Sequence, residues 1–254
     1  MRKSLTLIVL MVTLIAGCNR VNKDSFRISG KLNNGNEKQL YFFEMTGQGF
    51  KPLDTINIDK NGEYDFSYKL SEPTIYVLLA NPNDYVTIIP QKGEDIIMNG
   101  SFNSLSSSYT IKNSKESELL YKLNQEYIKT NAVLEELKQT LHDNKYSSNV
   151  DLIKKKLFDQ YNILEIHQRG IIKKFLSENK GSLACIIGLY RSFDNHYLFS
   201  LKTDLDVYEG VYKELSKKYP NNQHTIGLKK LIDDAKLKAQ QVPQPELANK
   251  NDKK

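Results

Sequence analysis

The two cysteines carry the most reactive side chains of this sequence, and their spacing limits the chemistry available to them. Thiol–disulfide exchange uses a neighbouring pair of thiols, and the sequence contains no Cys-x-x-Cys. Cys185 lies in the apolar run 183–187, which predicts a buried thiol that acts as a small hydrophobic side chain. The alternative is a reactive or dimer-forming thiol.

The histidines do not have the spacing of metal ligands. They are His142, His167, His196 and His224. None forms His-x-x-x-His or His-Glu-x-x-His, the patterns that place two ligands on one helix face. The sequence therefore predicts no metal site and no cofactor.

The acidic residues also do not form a predicted catalytic pair. Glu135-Glu136 and Asp233-Asp234 are adjacent on predicted helices, so their side chains diverge by about 100°. Asp204, Asp206 and Glu209 lack the glycine of a calcium loop, and helix capping is the favoured interpretation. We predict no catalytic residue and expect a protein that is not an enzyme.

Tyrosine is abundant, with 15 residues and no tryptophan in the chain. Tyr76 and Tyr85 lie on neighbouring predicted strands and could line one ligand or partner surface, because tyrosine is enriched at interfaces. The alternative is that tyrosine replaces tryptophan as a core and rim residue.

The N-terminus has the pattern of an export signal. Arg2 and Lys3 precede an apolar run over residues 5–16, which is shorter than the roughly 20 residues of a membrane-spanning helix. The end of this run, Leu14 to Cys18, resembles the lipobox of bacterial lipoproteins. The resemblance implies cleavage before Cys18 and acylation of its thiol and new amine. The alternatives are an ordinary signal peptide with a chance cysteine and an uncleaved anchor.

A lipidated Cys18 would make the membrane the first partner of the chain. Each methylene of the acyl chains that is buried in the bilayer contributes about 0.8 kcal/mol to membrane binding. Residues 19–23 lack an acidic cluster of the kind that resembles a surface-export signal, and no Asp directly follows the cysteine. We therefore expect a periplasm-facing protein of the cell envelope, in the outer membrane rather than the inner. Removal of Arg2 and Lys3 with the signal peptide would lower the net charge from +6 to about +4, a mild excess that predicts no nucleic-acid partner.

Hydrophobic periodicity divides the rest of the chain into two halves. After a signal peptide at 1–17 and a tether at 18–25, residues 26–112 read as short strands separated by turn formers, which predicts an antiparallel β-sandwich. Asn61-Gly62 predicts a tight hairpin, because both residues tolerate positive φ.

Residues 113–239 change to a helical period. Two apolar stripes broken near residues 143–149 predict a hairpin of two helices, each about 28 residues long. Shorter helices follow, including one from Leu205 to Tyr219, opened by a capping box at Thr203–Asp206, and one from Leu228 to Ala239. Residues 240–254 have the composition of a disordered tail. The predicted class is α+β.

The stretch from Asp54 to Phe66 resembles the strand–turn–strand core of domain of unknown function 4369, a β-rich domain of lipid-anchored envelope proteins. The opening strand Phe26–Gly30 and the step Gly100–Phe102 agree with it. In that family the domain and following helices commonly precede a thioredoxin-like domain in membrane-tethered thiol–disulfide oxidoreductases.

The sequence departs from that pattern because it ends where the thioredoxin-like domain is expected and has no Cys-x-x-Cys. It therefore resembles the accessory half alone. We expect a non-catalytic binding or scaffolding module with a possible protein partner in the envelope. The alternatives are an accessory subunit of a separate thioredoxin-like oxidoreductase and an enzyme of unrecognised type.

Overall fold

A computed structural model describes residues 22–241, and strands precede helices along them. The predicted α+β class is confirmed. The predicted signal peptide, the lipidation site Cys18 and the tail beyond Gln241 lie outside the described residues.

Eight strands form two four-stranded sheets, with the orders β4-β1-β7-β8 and β3-β2-β5-β6. The strands are β1 (Ser25–Asn33), β2 (Gln39–Thr46), β3 (Gly49–Asn57), β4 (Glu63–Lys69), β5 (Tyr76–Asn81), β6 (Asp84–Ile88), β7 (Asp95–Ser101) and β8 (Thr110–Lys112). Alternate residues of both sheets, including Phe26, Phe42 and Ile96, are fully buried in one shared core. This arrangement is the predicted sandwich.

One pair of strands departs from the antiparallel arrangement. β1 pairs antiparallel with β4 and parallel with β7, so that Ile28 lies between Phe66 and Ile96. The alternation of apolar residues has the same period of two in both kinds of pair, so it identifies the buried face but not the strand direction.

The turn at Asn61-Gly62 connects the two sheets, so the hairpin prediction is wrong. β3 and β4 flank the turn but belong to different sheets. Asp59 Oδ1 accepts hydrogen bonds from the backbone N–H groups of Asn61 and Glu63, both at 2.8 Å. Gly62 has a φ of +80°, and a Cβ there would lie 2.7 Å from the carbonyl oxygen of Leu32. The local turn chemistry was predicted correctly, but it does not determine which strand each arm joins.

The helices begin with a four-residue turn and continue with the predicted long hairpin. They are α1 (Leu105–Ser108), α2 (Lys115–Asp143), α3 (Val150–Glu178), α4 (Ala184–Leu189), α5 (Leu205–Lys218) and α6 (Gln223–Gln241). Two short strands, β9 (Ser192–Phe193) and β10 (His196–Tyr197), form a small sheet after α4. α6 begins five residues before the predicted Leu228 and continues two residues beyond the predicted Ala239.

Within residues 22–241, no helix combines the length and the apolar character needed to cross a membrane.

The capping box predicted for α5 is not formed. The N-cap residue is Asp204, and its carboxylate makes no capping hydrogen bond to the helix. It instead binds Arg169 on α3 and accepts a hydrogen bond from the backbone N–H of Ser200 at 3.0 Å. Asp204 is only 5% exposed, so a charged partner stabilises its carboxylate more than a solvent-facing cap would.

The helices pack against the sandwich through a core that contains residues of both halves. Ile75 and Ile89 flank β5 and β6, and both are fully buried among helical residues such as Leu120 and Leu189. The backbone N–H of Ile89 donates a buried hydrogen bond to Ser117 Oγ at 3.0 Å. The helical core therefore includes residues of the sandwich half and lies beside the sandwich's own core between the two sheets.

A polar cluster at the start of α6 holds this helix to the sandwich. Gln223 Nε2 donates to Glu44 Oε1 at 2.8 Å and to Thr74 Oγ1 at 3.1 Å. The Thr74 hydroxyl accepts from Gln223, so its hydrogen is available to His224 Nε2, 3.1 Å away. Burial lowers the pKa of His224, and the charge of Glu44 opposes this effect without overcoming it.

We expect His224 to make stability pH-dependent. Because its folded-state pKa is lowered, protonation favours the unfolded chain, and stability is lost as the pH falls below about 6.5, the value in an unfolded chain. The loss is about 1.4 kcal/mol per unit by which the pKa is lowered. Urea unfolding at neutral and at mildly acidic pH should show a smaller loss for His224→Gln than for the unsubstituted protein. Equal losses would contradict this assignment.

Candidate functional site

A cleft opens between the sandwich and the helices, where β6 and α1 face α2 and the segment after α4. Its volume is about 470 Å³. We call it the interface cleft. Its principal lining residues are Tyr85, Thr87, Asn124, Tyr127, Tyr190 and Arg191.

The face of β6 that points away from the sandwich core forms one wall of the interface cleft. Val86 and Ile88 are buried in the sandwich, whereas Tyr85 and Thr87 line the cleft. Ile89 continues the outward face by one step of two residues and packs against the helices. One face of the strand therefore changes from helix packing at Ile89 to cleft lining at Tyr85.

A buried carboxylate positions α1 at the edge of the cleft. Asp84, at the start of β6, accepts hydrogen bonds from the backbone N–H groups of Leu105 and Ser106, both at 2.7 Å. Asn124 Nδ2 then donates to the carbonyl oxygen of Ser106 at 2.9 Å and ties α1 to α2. Although Asp84 is next to Tyr85 in sequence, its carboxylate is engaged by the helix N-terminus.

Arg191 lies two residues after the end of α4 and supplies the charge of the cleft. Its guanidinium lies 4.6 Å from the centroid of the Tyr127 ring. Its Nε atom is buried and has no hydrogen-bond partner among the described residues. Burial lowers the pKa of Arg191, because the charged form has lost hydration without gaining a carboxylate.

The two other arginines within residues 22–241 have acidic partners. Arg27 binds Asp65 at 2.6 Å and Asp95 at 3.0 Å, and Arg169 binds Asp204. For Arg191, the described residues provide no such ion pair, and it is the one described residue lining the cleft that carries a charge. Arg191 is partly buried, so its guanidinium has lost part of its hydration without gaining a carboxylate partner among the described residues. The cleft is thus an electropositive site that an anion would neutralise.

Neutral groups complete the lining of the interface cleft. Tyr85 and Tyr190 are 42% and 38% exposed and present their rings at its rim. Leu120, Ile128 and Ile187 contribute aliphatic surface from α2 and α4. This combination of apolar walls with a few polar groups is typical of sites for small molecules.

Tyr76 and Tyr85 do not share one surface, and their positions agree with the other interpretation, tyrosine as a core and rim residue. Tyr76 is buried in the sandwich and stacks on Phe42 at 4.9 Å between ring centroids. Tyr85, on the neighbouring strand, faces the interface cleft. Tyr76 pairs with Ile88, an odd number of residues from Tyr85, so the two rings lie on opposite faces of the sheet.

The remaining candidates occupy separate places. His196 lies 3.0 Å from Glu165, and His224 contacts Thr74 at the start of α6. Throughout residues 22–241, no three His, Cys, Asp or Glu side chains are grouped so that they could hold a metal ion.

Cys185 is buried, as its apolar run predicts. It is 1% exposed, and its thiol donates to the carbonyl oxygen of Asn179 at 3.3 Å. Burial raises the pKa of the Cys185 thiol to about 12, and the nearby charge of Glu116 adds to this effect.

Sequence reasoning missed Arg191, although a signal was present. The apolar run that begins at Leu183 continues to Phe193, and Arg191 is the one basic residue within it. A charge inside a buried run requires either a partner or a ligand. The lack of an acidic partner for Arg191 among the described residues was not predictable, because ion pairing depends on tertiary contacts.

We expect Cys185 to be unreactive in the folded protein. In a chain that begins at Asn19, it is the one remaining thiol. Since the thiolate is the nucleophile, its reaction with a disulfide reagent such as dithionitrobenzoate should be on the order of 100-fold slower in native buffer than in denaturing urea. Equal rates would return Cys185 to the candidates for redox chemistry.

Comparison with known proteins supports the resemblance of the sandwich to domain of unknown function 4369. No curated protein and no solved structure matches the chain. Residues 26–120 match the family described as Domain of unknown function (DUF4369). The match covers both large sheets and α1, and it ends in α2 at Leu120, which lines the interface cleft. The sandwich and the first turns of α2 are therefore similar to the domain of unknown function 4369.

Proposed function

We propose that the protein is a non-catalytic binding module of the cell envelope and that the interface cleft binds a small anionic ligand. The observation that carries this proposal is the guanidinium of Arg191, which lines an open cleft without an acidic partner among the described residues.

Partial burial removes part of the hydration of the Arg191 guanidinium. A guanidinium that has lost hydration without a counter-ion destabilises the protein that contains it. An anion bound at Arg191 would restore charge-assisted hydrogen bonds, which contribute roughly 1.5–3 kcal/mol each. A ligand therefore gains affinity from a charge that is already partly desolvated and held against Tyr127.

The ionisation states of nearby groups favour binding over catalysis. Tyr109 borders the cleft, and burial raises the pKa of its phenol well above the usual range, so it stays protonated at neutral pH. The carboxylate of Asp84 is engaged by α1, and the thiol of Cys185 is buried. None of these groups is poised to accept a proton from a ligand at Arg191.

The proposed location depends on the sequence pattern that ends at Cys18. If that thiol carries acyl chains, six residues, and hence seven Cα–Cα steps, separate Cys18 from the start of β1 at Ser25. At about 3.5 Å per residue, they would hold the sandwich within roughly 25 Å of the membrane surface. The ligand would then come from the periplasmic side of the outer membrane or be presented there by an envelope protein.

Site-specific photocrosslinking in intact cells tests this function. With p-benzoylphenylalanine in place of Tyr190, irradiation should add a small-molecule mass to the peptide that contains residue 190. The adduct should disappear when Arg191→Met is introduced as well, because the anion loses its charged partner. Mass spectrometry of the purified protein reads out both the adduct and the acylation of Cys18.

The matched control places the same crosslinker at Tyr146, which is 90% exposed on the connection between α2 and α3. Adducts of equal yield at both positions, or an adduct at 190 that persists in Arg191→Met, would contradict binding in the cleft. An unmodified Cys18 would contradict the lipid anchor. Capture of a protein with its own cysteine pair at residue 190 would instead favour the alternative of an accessory subunit.

A further inference from the structure

We propose that the interface cleft selects a single carboxylate attached to an aromatic or aliphatic body. This inference deepens the proposed function and rests on the cleft being a binding site. It concerns the charge, the head group and the body of the ligand.

The charge of the cleft matches one negative charge. Arg191 is the one cation among the described residues that line it, and the other lining residues are neutral. A carboxylate neutralises this guanidinium. A phosphate monoester carries about −1.5 to −2 at neutral pH and would leave excess negative charge among neutral tyrosines and aliphatic side chains. The charge balance therefore favours the carboxylate.

The geometry of the guanidinium also favours a carboxylate. Its Cζ atom lies over the Tyr127 ring, at 4.6 Å from the centroid. The N–H donors radiate within the guanidinium plane, and a planar carboxylate can accept two of them side by side. A lysine at the same position would supply a point charge without this fork.

The walls of the cleft define the body of the ligand. The rings of Tyr85 and Tyr190 and the side chains of Leu120, Ile128 and Ile187 offer apolar contact near the charge. A volume of about 470 Å³ lies within the range of sites for small molecules, roughly 300–1,000 Å³. Two sources could provide this chemistry, a free aromatic or aliphatic acid and the C-terminal residue of a peptide.

The test follows the arginine Nε–H resonances in ¹⁵N-labelled protein that begins at Asn19 and retains the described fold. The Arg191 resonance is assigned by its absence in Arg191→Lys. Titration with 4-phenylbutyrate should shift this resonance saturably and leave those of Arg27 and Arg169 in place. The neutral amide 4-phenylbutanamide should bind at least about tenfold more weakly, because the charge-assisted pair is lost. The doubly charged 2-phenylethyl phosphate should also bind at least about tenfold more weakly, because its charge does not match that of Arg191.

The Arg191→Lys variant keeps the charge and removes the fork, so its affinity for 4-phenylbutyrate should also fall about tenfold or more. Tyrosine fluorescence reads out binding in this variant, and an unchanged unfolding midpoint shows that it is folded. Comparison with N-acetylglycyl-phenylalanine separates the sources. Tighter binding of this peptide supports a peptide C-terminus, and tighter binding of 4-phenylbutyrate supports a free acid.

Two results would overturn the inference. Equal affinity for the acid and its amide would show that the carboxylate is not recognised. Tighter binding of the phosphate at Arg191 would show an anion site of different selectivity, and the proposed function would survive. If no anion shifts the Arg191 resonance, the proposed function and this inference both fail.

Discussion

The structure depends on the packing of the helices against the outer face of the sheet that contains β5 and β6. Ile75 and Ile89 extend from this sheet into the helical core, where neither side chain is exposed to solvent. A four-stranded sheet with one face in the sandwich core has to cover or solvate its other face. Here, α2 and α4 cover that face. The contact with the sheet therefore determines where each of these helices lies relative to the sandwich.

The interface cleft results from the incomplete coverage of this face. The helices lie close to the sheet at Ile89 and leave space at Thr87 and Tyr85. α4 ends at Leu189, and the next two residues, Tyr190 and Arg191, face this space. The same packing that buries Cys185 thus brings Arg191 to the cleft, where the described residues offer it an aromatic ring but no carboxylate.

Much of the fold was predictable because it depends on local periodicity. The alternation within 26–112 and the two helical stripes after Ser114 correctly gave the strands and the long hairpin. Which of the two sheets a strand joins, and in which direction, was not predictable. The turn at Asn61-Gly62 and the parallel pair of β1 and β7 show this. These features depend on contacts between residues far apart in sequence, which periodicity does not encode.

The site was less predictable than the fold, for the same reason. Asp204 has the sequence context of a helix cap, yet it neutralises Arg169 from another helix. Arg191 has no sequence motif, and its significance arises only from the absence of a carboxylate near it among the described residues. The burial of Cys185 was predictable, because an apolar run on all sides of a short helix leaves no exposed face.

We propose that Arg191 binds a ligand, whereas Arg169 stabilises the fold through Asp204. The most direct test compares the free energy of unfolding of Arg191→Met and Arg169→Met by urea denaturation without ligand. Removing Arg169 leaves the buried Asp204 uncompensated and should lower this free energy by about 3 kcal/mol. Removing Arg191 eliminates an unpaired charge while methionine preserves the apolar stem, so stability should stay within about 1 kcal/mol or increase. A loss in Arg191→Met as large as that in Arg169→Met would contradict the account.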